Sequence, residues 1–234
     1  MKPPRTPWGD FPCVLIHAQE SWVKQHPFYH AAKSGDGFAA IRLVIDTLNI
    51  QQVSAIGSLF ARHKPILVSA HAYEREGVNA IPEIFAEDMG NRLGWPVDSC
   101  VVQINVVSHT GADGFTRLAR QPEFDGPIQT GEEYVLVDDF VGMGGTLANL
   151  RGYIETHGGK VLAAVALTGK PHSAQLNLTA ARLNELRSKH GRELEYWWHE
   201  RFGHAFDALT ESEARYLVRT PDADTIRNRI IAAE

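Results

Sequence analysis

Short apolar runs alternate with longer amphipathic stretches along most of this chain, and the period of the pattern changes with them. Residues 13–16, 66–69, 134–137 and 160–167 have strand length and little polar interruption, the third running into Asp138 and Asp139, and residues 53–57 and 101–107 read as two more strands. Between them the spacing is helical. Residues 27–49 suggest two helices broken at Ser34-Gly35-Asp36-Gly37, and a helix through residue 93 begins just after Pro82. Leu147, Leu150 and Ile154 share the apolar face of a helix that follows the glycine-bearing turn after Asp138 and Asp139. Leu183 and Leu186 mark another over 176–190, with Gly191 as its stop. Thr210 and Glu213 form a capping box ahead of a further helix, and residues 225–233 read as the last. Strand and helix candidates interleave, so the expected fold class is α/β.

Size and charge narrow this picture. At 234 residues the chain suits one domain with some elaboration. A hydrophobic share of 44% and a charged share of 22% are those of an ordinary soluble domain. The net charge of -5 makes a nucleic-acid partner unlikely as an expectation, although a local basic patch is compatible with it. Cys13 and Cys100 carry no pairing or metal-site spacing, and no run approaches the ~20 apolar residues of a membrane span. A cytoplasmic protein without membrane partners is the expectation, and a homodimer remains open.

The candidate chemistry lies in Tyr134-Val135-Leu136-Val137-Asp138-Asp139-Phe140-Val141-Gly142-Met143-Gly144-Gly145-Thr146-Leu147, which reads as strand, loop, helix. Glycines allow positive φ and close approach, so several amides can converge on one anion. The helix start adds unpaired N–H groups, and Thr146 adds a hydroxyl. Asp138 and Asp139 stand at the strand's carboxyl end, where carboxylates can accept from vicinal hydroxyls or bind a metal. A phosphate site beside a diol site describes a ribose 5-phosphate.

With these residues the chain resembles the type I phosphoribosyltransferases, whose signature is an apolar strand, an acidic pair and a turn closing in Gly-Gly-Thr. The resemblance implies a parallel-sheet α/β fold with helices on both faces and a small C-terminal hood. It implies a core over 51–170 that binds 5-phosphoribosyl-1-pyrophosphate (PRPP), a helical elaboration over 1–50, and a hood with C-terminal helices over 171–234. The implied reaction transfers the 5-phosphoribosyl group to a nitrogenous base, with a purine the expected acceptor and Mg2+ the implied cofactor. Asp138 and Asp139 would hold the ribose and the metal, and residues Val141, Gly142, Met143, Gly144, Gly145 and Thr146 the 5-phosphate. Two positions that usually carry small hydroxyl residues are Gly142 and Met143 here, so one hydroxyl donor is missing. A non-catalytic PRPP or nucleotide sensor, or a nucleotide-targeting toxin or defence effector, are the alternatives.

Other candidates follow from the same resemblance. His71 and Arg75, in the loop after 66–69, would meet pyrophosphate. Arg117, with His109 and Arg120, falls in the segment expected to close over it, although residues 114–120 also read as a plain amphipathic helix. Lys170 would reach an exocyclic oxygen of the base. Phe202, and after it Trp198, would stack on that base, against the simpler reading of the aromatic stretch 194–207 as core.

Overall fold

The apolar runs are buried because they become the strands of a parallel sheet. The structure, a computed structural model, describes residues 2–70, 73–74, 77–105, 107 and 113–234. In chain order its elements are β1 (Leu15–Gln19), α1 (Glu20–Lys24), α2 (Tyr29–Lys33), α3 (Gly37–Thr47), α4 (Ile50–Leu59), β2 (Ile66–Ser69), β3 (Tyr73–Glu74), β4 (Gly77–Val78), α5 (Ile81–Leu93), β5 (Val97–Asp98), β6 (Val102–Gln103), α6 (Gly114–Ala119), β7 (Phe124–Asp125), β8 (Glu133–Val141), α7 (Gly145–Thr156), β9 (Lys160–Gly169), α8 (Ala180–Phe202), α9 (Glu211–Arg219) and α10 (Ala223–Ala232). The main sheet runs β1-β9-β8-β2-β5, and every pairing within it is parallel. The expected parallel α/β sheet is therefore present.

The sheet's alternation separates two cores. Leu67, Val135, Val137 and Val165 face α3 and α5, where they meet Leu43, Ile81, Phe85 and Met89. Val68, Tyr134, Leu136 and Ala164 face α7, where they meet Leu147, Leu150 and Ile154 together with Trp8 and Phe11 from the N-terminal segment. Gly152 of α7 allows that segment to cross closely: a Cβ there would stand 2.0 Å from the Pro4 carbonyl oxygen. A third cluster joins α6, α8, α9 and α10 around Trp198, Phe206, Leu217 and Ile230. These helices form the hood, so α6 packs with elements far from it in sequence.

Two strand expectations fail for identifiable reasons. Residues 53–57 lie within α4, because the Asn49 side chain accepts from the amides of Gln51 and Gln52 and starts a helix there. Val53 and Ile56 are buried while Ser54 and Ala55 are exposed, which is helical spacing. Of residues 101–107 the described strand is β6 alone, which pairs antiparallel with β7 outside the main sheet. The fifth main strand is β5 instead. The expected stop at Gly191 is a break inside α8, at φ 76° and ψ 169°, after which the chain turns helical again. Leu194, Trp198 and Phe202 then bury one face of that second segment. Among the described residues no helix is long and apolar enough to cross a membrane.

The sheet order positions the site. From β2 the chain crosses through α5 to β5 on one side, whereas from β8 it crosses through α7 to β9 on the other. The two crossover helices lie on opposite faces. A crevice at the carboxyl ends of β2 and β8 is the place where such sheets receive ligands.

Candidate functional site

β8 carries its apolar run directly into Asp138 and Asp139, which are buried despite their charge, at 7% and 9% exposure. Burial at this level requires partners. Asp139 Oδ2 accepts from Lys33 Nζ at 3.1 Å, and the Asn79 side chain also hydrogen-bonds Asp139. Asn79 Oδ1 in turn accepts from the Ile81 amide at 3.2 Å, so the start of α5 orients it. Burial, then the neighbouring Asp139 charge, pushes Asp138 well above the usual carboxylate range. Burial acts on Asp139 in the same sense, but Lys33 and the hydrogen bonds from Lys33, Asp138 and Asn79 outweigh it and hold Asp139 below its usual value. The two carboxylates are thus pushed in opposite directions by their surroundings.

The turn after β8 leaves its amides open. Gly144 takes φ +83° at the cap of α7, and a Cβ there would also stand 2.4 Å from Leu176 Cδ2, so both backbone and packing demand glycine. No side chain caps α7, and no acceptor among the described residues takes the amides of residues 143–147. The positive end of a 12-residue helix therefore opens into the crevice.

The hood fixes this turn. Thr210 Oγ1 donates to the Met143 carbonyl at 2.5 Å and accepts from the Glu213 amide at 3.0 Å. Glu213 completes the capping box by accepting from the Thr210 amide at 2.9 Å. Its carboxylate also receives both arms of Arg5, at 2.7 and 3.1 Å, and Arg5 Nε donates to Asn149 Oδ1 at 2.5 Å. The Arg5 and Glu213 side chains are 1% and 2% exposed. Turn, hood and N-terminal segment are thus joined by one buried polar network.

The missing hydroxyl has a counterpart. A Cβ on Gly142 would stand 3.0 Å from Arg117 Nη1, so the guanidinium occupies the space a side chain at 142 would need. Half-buried, Arg117 is drawn below its ordinary value by desolvation.

These groups enclose a cavity of about 220 Å³. Of the predicted site residues, Asp138, Asp139, Arg117, Gly142, Met143, Gly144, Gly145 and Thr146 line it together. Val141 lies beneath, buried, with its carbonyl accepting from the Lys170 amide at 3.2 Å. Lys170 lines an adjoining groove instead. Phe202 does not offer its face to a ligand: it is packed in the hood core against Trp198, with ring centroids 4.3 Å apart, because both belong to the buried face of α8. His71, Arg75 and His109 lie outside the described residues. Arg120 points away, its guanidinium donating to the carbonyls of Ala233 and Glu234 at 2.9 and 3.4 Å.

Sequence reasoning passed over Lys24, Lys33, Arg5 and Glu213, all of which line the cavity. Lys24 sits over the Phe140 ring at 4.5 Å and pairs with Glu20 at 2.6 Å. Nothing in the spacing of Lys24 and Lys33 connects them with residue 139. Glu213 did carry a signal, since a capping box places its carboxylate at the mouth of a helix.

No family model matches the chain. Protein TraN of Escherichia coli is 41% identical to it over 229 residues, which cover 98% of this chain and 51% of that protein. The chain thus spans about half the length of this relative. Among solved structures, an adenine phosphoribosyltransferase aligns over 56% of this chain and 71% of that one, at 15% identity and a TM-score of 0.39. A purine phosphoribosyltransferase from Pyrococcus horikoshii Ot3 aligns over 51% of this chain and 70% of that one, at 21% identity and a TM-score of 0.34.

Proposed function

We propose that the cavity takes a 5-phosphorylated ribose and that the chain transfers the 5-phosphoribosyl group of PRPP to a nitrogenous acceptor. The observation that carries this reading is the meeting, in one crevice, of an uncapped helix N-terminus with a buried pair of adjacent carboxylates. The amides of residues 143–147 suit a phosphate monoester. The adjacent carboxyl groups of Asp138 and Asp139 offer hydrogen-bonding oxygens to a vicinal diol. Arg117, standing where a side chain on residue 142 would be, supplies a planar donor fork to the same phosphate.

The rest of the chemistry asks little of acid–base groups. Carbon 1 gains positive charge as diphosphate leaves, and Asp139 is the ionised group placed to stabilise it. Lys33 holds that carboxylate and offers positive charge on the side where a diphosphate departs. The oxygen donors of the acidic pair suit Mg2+, yet no cluster of three or more candidate ligands exists among the described residues. Asp138 and Asp139 would hold Mg2+ when it is bound, and the ion would supply charge neutralisation for the diphosphate. Positioning and water exclusion fall to the turn, Arg117 and the hood.

Calorimetry with Mg-PRPP tests the reading. Wild type is expected to bind, Asp139→Asn to bind at least tenfold more weakly, and Thr146→Ala combined with Gly144→Val not at all. Equal affinity in the three proteins would sink it. A second reading, a PRPP or nucleotide sensor without turnover, is favoured by the Lys33 ion pair, which takes part of the Asp139 charge. Pyrophosphate release in the presence of a panel of bases and nucleotides separates the two, because a sensor binds without releasing it.

A further inference from the structure

The cavity does not end at Arg117. Lys24, Arg117, Phe140, Gly142 and Met143 also line a second, wider space of about 580 Å³ that runs outward over the carboxyl end of β9. Its far wall brings together Lys170 at the end of β9, His172 just beyond it, and Arg215 and Arg219 one turn apart on α9. The chain carries a net charge of -5, so this concentration of cations runs against its overall composition.

The cations are not there to hold carboxylates. Among the described residues Lys170, Arg215 and Arg219 have no acidic partner, and Arg215 spends one donor on the Ser212 hydroxyl at 2.9 Å. The acidic group in this wall, Glu20, is paired with Lys24. Like charges gathered this closely repel, and desolvation and then the charges of Arg215, Lys170 and Arg219 draw the exposed His172 below its ordinary value. A cost of that kind persists where an anion relieves it.

Place in the fold indicates whose anion. Ala70 and Asn79, together with Lys33 at the end of α2, border the crevice on one side of β8, whereas Lys170 and His172 follow β9 on the other. A ribose held on the turn and the acidic pair would have Lys33 on one side and this groove on the other, which on the phosphoribosyl reading separates the departing diphosphate from the acceptor. On the acceptor side the aromatic rings expected to stack a bare base, Phe202 and Trp198, are sealed in the hood core, and guanidinium groups and a lysine take their place.

We infer that the acceptor-side ligand is itself phosphorylated, a nucleoside monophosphate rather than a free base, with its phosphate on Lys170, Arg215 and Arg219 and its base directed toward the cavity. This rests on the phosphoribosyl reading for the word acceptor, but the groove is testable without it. Arg219 is exposed at the end of α9, so substituting it leaves the fold intact.

The experiment is calorimetry of four nucleoside monophosphates and their nucleosides on the full chain, alone and with saturating ribose 5-phosphate, for wild type, Arg219→Glu and Arg219→Lys. The expected result is that at least one monophosphate binds tenfold or more tightly than its nucleoside, with or without ribose 5-phosphate. Arg219→Glu should weaken that binding at least tenfold and Arg219→Lys by much less, with ribose 5-phosphate affinity unchanged in both. Equal binding of nucleotide and nucleoside, displacement of the nucleotide by ribose 5-phosphate, or indifference to Arg219→Glu would each overturn the groove assignment. Failure of ribose 5-phosphate to bind at all, with nucleotide binding still sensitive to Arg219→Glu, would instead sink the phosphoribosyl reading and leave the groove standing.

Discussion

The sheet core and the seam between hood and turn are both buried, yet they are held by opposite means. On the sheet, Leu67, Leu136, Val137 and Val165 fill two apolar layers, and their contribution is dispersed over many contacts. At the seam, Arg5, Asn149, Thr210 and Glu213 satisfy one another through directed bonds, and one of those bonds reaches the backbone of the turn at Met143. An apolar layer loses stability in proportion to the volume removed, whereas a buried network fails when one member leaves a charge unpaired. The difference also suits their positions. The sheet has only to be rigid, while the turn has to hold its amides in one orientation with no ligand present.

The comparison can be broken most directly at Glu213. Glu213→Ala is expected to destabilise the fold by about 3–5 kcal/mol, because it leaves the Arg5 guanidinium buried without a counter-charge. The double variant Arg5→Met with Glu213→Leu should recover most of that loss in chemical denaturation while still failing to bind Mg-PRPP. Additive losses would mean that the seam behaves like the core. Leu136→Ala, in the sheet, is expected to cost about 2–5 kcal/mol, with ligand affinity per folded molecule retained.

Two buried histidines extend the comparison to pH. His17 lies against Phe85 on the sheet side, and burial lowers it to about 4. His204 lies near Arg5 and Trp198, and burial followed by the Arg5 charge lowers it to about 3. Both are neutral when folded and take up a proton on unfolding below their ordinary value of 6.5. Their contribution is complete above that pH and drains as pH falls below it. For His17 the loss approaches roughly 3 kcal/mol near pH 4, because each tenfold difference in proton affinity between the folded and unfolded chain is worth about 1.36 kcal/mol. His17→Gln should flatten the acid limb of stability against pH by one proton, and an unchanged slope would contradict the burial of a neutral ring.

The smallest expected change isolates the turn from both regions. Arg117→Ala should weaken Mg-PRPP binding by about 1.5–3 kcal/mol, the worth of a hydrogen bond to a charged group, with little change in stability. Adding Gly142→Ser to that variant should recover part of the affinity, since the vacated space then accepts a side chain with a hydroxyl donor. If Gly142→Ser instead worsens binding in the absence of Arg117, the two do not exchange roles.

Much of the frame was legible because local signals and final burial agree. The apolar runs at 66–68, 134–137 and 161–167 became parts of β2, β8 and β9 since uninterrupted apolar residues can be covered on both faces only in the middle of such a sheet. The turn at 142–146 was legible because glycine is demanded locally, by φ at Gly144. Residues 53–57 misled because a short apolar run is compatible with either period, and the Asn49 cap that decides it lies outside the run. Residues 101–107 misled because β propensity says nothing about which sheet a strand will join.

By itself, then, the sequence determined the α/β layering, the acidic pair at a strand end, the glycine turn and the capping box, all of which depend on residues within a few positions of one another. The tertiary structure alone decided that Lys33 meets Asp139, that Arg117 fills the space over Gly142, that Arg5 completes Glu213, and that Lys170 and Arg219 share a wall. Each of these pairs groups separated by tens of residues or more along the chain. No periodicity encodes such a meeting, because it depends on which helices cover which face of the sheet.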